Sequence, residues 1–104
     1  MTEKKEKTKE VKKMEANVVL IGRKPVMNYV IACLTFFNSG EKQVTLKARG
    51  RAISTAVDTV ELLRRAFVKD LELPSINIST EEVQRVEENR KMNVSTIEIN
   101  LKKP

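Results

Sequence analysis

Apolar positions along the chain change period four times, and each change marks a new element. "NVVLI", Asn17 to Ile21, is a short apolar run, consistent with a buried strand, and Gly22 ends it. "PVMNYVIACLTFFNS" follows at helical period. Proline is favoured at a first helical position and Gly40 suits the residue just past a C-terminus, so the pattern predicts a helix over 25–39. Val26, Val30, Cys33, Leu34 and Phe37 share its core face. Met27 and Ile31 make another side apolar, which predicts cover on more than one side. In "EKQVTLKA", Val44, Leu46 and Ala48 alternate with Gln43, Thr45 and Lys47, the period of a half-buried strand. From Ala52 or Ile53 to Phe67 the helical period returns, with Ile53, Ala56, Val57, Val60, Leu63 and Phe67 as the core stripe and Glu61 with Arg65 as an i,i+4 pair on the solvated side. Thr55, Thr59, Leu62 and Ala66 form a milder second stripe, either a partner surface or a partly covered flank.

After Pro74, Ile76 and Ile78 alternate as in a strand. The polar stretch "STEEVQRVEENRKMNVST" leads to a last strand in which Ile97, Ile99 and Leu101 alternate with Glu98 and Asn100. Val94 and Met92 have the opposite parity, which predicts either a bulge or a hairpin that leaves the sheet and extends beyond the core. The order is βαβαββ. It predicts an α+β domain, a four-stranded mixed sheet with two helices on one face and an extended hairpin arm made by the last two strands.

Composition narrows the chemistry. The chain has 104 residues, enough for one domain with a real core. Residues 1–16, "MTEKKEKTKEVKKMEA", mix six lysines with four glutamates and offer little to bury, predicting a disordered tail of mixed, mainly basic charge before a single domain over 17–104. That tail serves either solubility or loose contact with a polyanion. No stretch approaches the roughly 18 apolar residues of a membrane span, and the lysine-rich start lacks the apolar core of a signal peptide, so a soluble cytoplasmic protein is expected. Cys33 reads as a small core residue. With no histidine, neither an ordinary general base nor a metal site is expected, and no cofactor is assigned. Asp58 and Glu61 could together hold a magnesium ion for phosphodiester cleavage, but their spacing on an amphipathic helix reads better as surface charge. The chain is therefore read as non-enzymatic.

The net charge of +6 is unevenly spread. Between Gly22 and Lys69, nine basic residues meet three acids, so this window alone carries +6. "GRK" follows the first strand and "KARGR" ends the second. In a βαβ unit these connections leave the same edge of the sheet, so they should form one basic rim. Arg23 and Lys24 stand at a helix start, where cations oppose the helix dipole. The unpaired N–H groups there suit phosphate oxygens, and flanking cations strengthen that field. The alternatives are ordinary loop charges for Arg23 and Lys24, and pairing with local acids for Arg49 and Arg51. Tyr29, Phe36, Phe37 and Phe67 all lie on predicted helices, leaving no strand aromatic for base stacking. No glycine has another three residues away, so the GxxG clamp of KH modules is absent. Backbone-directed binding with little sequence preference remains.

Three blocks, "NVVLIGRKPVMNYV", "KARGRAISTAVDTVELLRRAF" and "NVSTIEINLKK", closely resemble the Alba family of archaeal chromatin proteins in order and spacing, from Asn17 to Lys103. The resemblance implies a homodimer, or a heterodimer with a paralogue, that coats, bridges and compacts double-stranded DNA without sequence specificity and also binds RNA. A chain acting mainly on RNA, as a chaperone or ribonucleoprotein subunit, is the alternative. The family's "GKK" loop matches Gly22, Arg23 and Lys24, whose cations would touch the nucleic-acid backbone, and "KARGR" matches Lys47, Arg49 and Arg51 on the same surface. Phe67 matches an aromatic that packs dimer against dimer. Arg85, Arg90 and Lys91 fall in the arm that follows the minor groove. Two departures stand out. The lysine regulated in the family is Arg23 here, so acetylation has only Lys24 at this turn, and the arm carries Glu81, Glu82, Glu87 and Glu88.

Overall fold

The computed structural model describes residues 17–85 and 90–104, with the side chain of Arg85 outside that set. The tail expected over residues 1–16 and the arm residues Glu87 and Glu88 lie outside the described residues. Strands β1 (Val18–Leu20), β2 (Gln43–Arg49), β3 (Glu72–Arg85) and β4 (Arg90–Lys102) and helices α1 (Val26–Asn38) and α2 (Ala52–Leu62) give the order βαβαββ. The sheet is mixed, in the order β1-β2-β4-β3. β1 runs parallel to β2, while β4 is antiparallel to both of its neighbours.

Alternation sets which face is dry. Val44, Leu46 and Ala48 of β2 lie opposite Leu101, Ile99 and Ile97 of β4, so these pairs share one face of the sheet. The helices cover that face, burying Val19, Leu46, Ile99 and Leu101 against Val30, Cys33 and Phe37 of α1 and Ala56, Val60 and Leu63 from the second helical segment. The other face is polar. Across it the Thr45 hydroxyl donates to Asn100 Oδ1 at 2.6 Å and Asn100 Nδ2 donates to Ser75 Oγ at 2.6 Å, tying β2, β4 and β3 together.

The helix boundaries follow local chemistry. α1 ends in a Schellman arrangement: the Gly40 N–H donates to Phe37 O and the Glu41 N–H to Phe36 O, each at 3.1 Å, with Gly40 at φ +101°. Pro25 is not the first helical residue. Its ψ of 153° is extended and makes it the N-cap, so α1 begins one residue later than expected. α2 continues into a wider turn over Leu63–Phe67, where the Val68 N–H donates to Leu63 O at 2.7 Å.

Several expected contacts are corrected. The buried face of the second helix is turned toward Thr59, which is fully buried and donates its hydroxyl to Thr55 O at 2.8 Å, while Val57 is exposed. Phe67 is 47% exposed, because the wider turn carries it off the core stripe. Glu61 pairs with Arg64 at 2.6 Å instead of Arg65, an i,i+3 contact. Met27 and Ile31 of α1 are exposed in the single chain, so the expected cover on that side is not supplied by this copy. β3 starts before Pro74, and its irregularity lies between Glu72 and Ser75; from Ser75 to Arg85 its pairing with β4 is continuous. The change of parity at Val94 and Met92 is therefore a hairpin arm and not a bulge.

Cys33 is buried, and desolvation raises its thiol pKa from 9.0 to about 12. A raised folded-state value favours the neutral thiol, so its contribution to stability is complete below the unfolded value and is lost as pH rises from about 9 toward 12. The thiol should therefore resist a maleimide reagent in the native protein and react promptly in denaturant. Equal labelling rates in the two states would contradict its placement in the core.

Candidate nucleic-acid interface

The parallel pairing of β1 and β2 brings the two basic connections together. Leu20 lies beside Lys47, and the Ile21 N–H donates to Lys47 O at 2.9 Å. Two residues beyond this junction, one strand runs into Arg23 and Lys24 while the other runs into Arg49. β4 passes β2 in the opposite direction with Thr96 beside Arg49, so its start, from Arg90 to Ser95, extends past the same end. The arm and both turns thus share one end of the sheet.

Arg23 and Lys24 are exposed in the β1–α1 loop. One residue missed by pattern reading shapes that loop. Tyr29 is buried, and its hydroxyl oxygen accepts the Gly22 N–H at 2.8 Å and the Lys24 N–H at 3.0 Å. A phenol one turn into the helix therefore reaches back and fixes the backbone that carries both cations. The available signal was a lone tyrosine on the flank of an apolar helix, just after a turn whose N–H groups needed acceptors.

The second turn depends on Gly50, at φ +60°, a left-handed conformation that favours glycine. Its N–H donates to Ser95 O at 2.8 Å, fastening the turn to the base of the arm. Arg51 is exposed at the N-cap of α2. Neither helix has a side-chain N-cap bond or an acid in its first turn. Both positive dipole ends thus face the end of the sheet that carries these cations.

Lys47 and Arg49 belong to the polar face of the sheet. Lys47 is half-buried opposite Glu98, whereas Arg49 is exposed and its Nη1 donates to Glu81 Oε1 at 3.1 Å. The alternative of pairing with a local acid therefore holds for Arg49. Arg90 and Lys91 are exposed on the arm, and the backbone register sets Arg85 opposite Arg90. Phe67 stands apart from this rim, at the far end of the second helical segment. Among the described residues, no three histidine, cysteine or acidic side chains come together as a metal site. No described helix is long and apolar enough to cross a membrane.

Replacing Tyr29 by phenylalanine keeps the ring and removes the acceptor of two partly buried N–H groups. The cost should be about 1–3 kcal/mol. Polyanion binding should weaken while its salt slope stays the same, because no cation is lost. Thermal melts and salt-dependent isotherms on Tyr29→Phe would check both, and an unchanged melt would remove the hydroxyl's structural role.

Comparison with known proteins identifies the family. The Alba family profile matches residues 17–81. The DNA/RNA-binding protein Alba of Methanocella arvoryzae is 59% identical over 90 residues, covering 86% of this chain and 93% of that protein. DNA/RNA-binding protein Alba 1 of Archaeoglobus fulgidus is 53% identical over 90 residues, covering 86% of this chain and 99% of the other. Among solved structures, Alba from Thermoplasma volcanium superposes with a TM-score of 0.78 at 43% identity, over 83% of this chain and 99% of its own. ALBA1 from Trypanosoma brucei gives 0.66 at 30% identity, over 84% of this chain and 68% of its own. The sequence blocks, the sheet order and these relatives agree, and the chain belongs to the Alba family.

Proposed function

We propose that this protein is a non-enzymatic architectural protein that binds double-stranded DNA through its backbone, coats and bridges it as a dimer, and also takes RNA. The observation that carries the reading is the convergence of two uncapped, acid-free helix starts with Arg23, Lys24 and Arg51 at one end of the sheet. Fixed backbone dipoles and cations that weaken the folded chain locally are favourable toward phosphate oxygens. Lys47 and Arg49 extend the contact along the sheet end, and Arg85, Arg90 and Lys91 carry it along the arm toward a minor groove. The relatives named as DNA/RNA-binding proteins support both ligands. The domain spans residues 17–104, with residues 1–16 as a mixed-charge tail adding loose electrostatic contact. The protein acts in the cytoplasm on the chromosome.

Dimer formation accounts for apolar surface that one chain leaves open. Ile76 and Ile78 of β3 are 52% and 78% exposed. Their register partners Ile99 and Ile97 lie on the helix-bearing side, and Ile78 lines a groove with Ile53 of α2. A second copy, or a paralogue with the same face, covers this surface. Phe67, exposed at the far end of the second helical segment, provides a separate apolar contact for packing dimer against dimer.

Light scattering should give about twice the 11.9 kDa chain mass, and Ile78→Asp should give the monomer. A wild-type monomer at micromolar concentration would exclude the dimer. On unrelated duplexes, Arg23→Ala/Lys24→Ala should weaken binding equally and leave the melt intact. At about 0.9 per lost phosphate contact, a dimer missing up to four contacts should lose roughly 3–4 units from the slope of log affinity against log salt. An unchanged slope would make these cations ordinary loop charges.

A further inference from the structure

Arg49 and Glu81 are 32 residues apart in sequence, yet their side chains meet at 3.1 Å across the sheet. β4 lies between their strands: Arg49 pairs with Thr96, Thr96 with Ser79, and Glu81 is two residues further along β3 on the same face. The pair therefore sits where the rim meets the base of the arm. Both side chains are exposed, at 62% and 58%, so water screens them and neither is locked in place. Glu82, the next residue, has the same charge but points to the opposite face of the arm.

We infer that Glu81 is a built-in competitor for phosphate at Arg49. This inference rests on the reading of the rim as a polyanion interface and names a residue that tunes it. In the free protein the carboxylate occupies the guanidinium. A nucleic-acid phosphate must displace Glu81 to take the same donor, and the displaced carboxylate then stands beside the phosphate it has yielded to. Arg49 thus contributes less to binding than Arg23, Lys24 or Arg51, none of which has an ion pair among the described residues. The competition also reports on position. A ligand lying only over the two loops leaves the pair intact, whereas one that continues onto the arm has to break it.

The test uses the full chain and random-sequence duplex DNA across a salt series. Glu81→Gln should tighten binding by roughly two- to five-fold per protomer, the range of an exposed ion pair. The salt slope should steepen by at most about 0.9 per protomer, the full amount only where the wild-type pair stays closed over bound DNA. Glu82→Gln, which removes the same charge without touching Arg49, should give a smaller gain. In an Arg49→Ala background, Glu81→Gln should give no more than the small gain of Glu82→Gln. The same gain from Glu82→Gln, persistence of the gain without Arg49, or no gain at all would each overturn the competition while leaving the interface intact. Failure of the unaltered protein to bind any duplex in a salt-dependent way would remove the interface reading itself, and the competition with it. Circular dichroism melts confirm that each variant folds.

Discussion

The parallel pairing of β1 with β2 is the constraint on which the arrangement of charge depends. Two parallel strands end on the same side, and each then enters a helix, so two helix N-termini and their preceding turns are forced into proximity. The antiparallel return of β4 sends the arm out at the same end. Dry pairs behind the rim, Leu46 with Ile99 and Val44 with Leu101, hold this geometry against the mutual repulsion of the cations. The core thus stabilises a concentration of positive charge that the turns alone could not hold together.

Much of this was legible in the order of residues. Period two at Val44, Leu46 and Ala48, and at Ile97, Ile99 and Leu101, identified the buried face of both central strands, and Gly40 marked the end of α1. The adjacency of "GRK" and "KARGR" followed from topology alone. What was not legible depended on small rotations or long-range register. Val57 and Phe67 fit a helical stripe, but the widened turn after Leu62 and the burial of Thr59 change which positions meet the sheet. Glu61 has a cation at both i+3 and i+4, and side-chain geometry selects Arg64. The meeting of Arg49 with Glu81 needs the pairing of three strands before it can be seen.

Ile76 and Ile78 are exposed on the helix-bearing side of the sheet, whereas Lys47 and Arg49 lie on its polar face. Ile78 lines a groove with Ile53 of α2, whereas Arg23 and Lys24 follow the end of β1. Such separation lets a protein bury one surface against another copy without covering the other. β3 also presents an outer edge that pairs with no strand among the described residues, and its irregularity near Pro74 interrupts the hydrogen-bonding pattern that a stray strand would need.

The hydroxyl of Tyr29 gives the protein an optical consequence as well as a structural one. The chain has one tyrosine and no tryptophan, so all of its tyrosine emission comes from the residue that holds the Gly22 and Lys24 backbone. Phenol emission responds to hydrogen bonding at its oxygen. Any event that rearranges the β1–α1 loop is therefore recorded by the molecule's own chromophore, with no label attached to the surface where a ligand would sit.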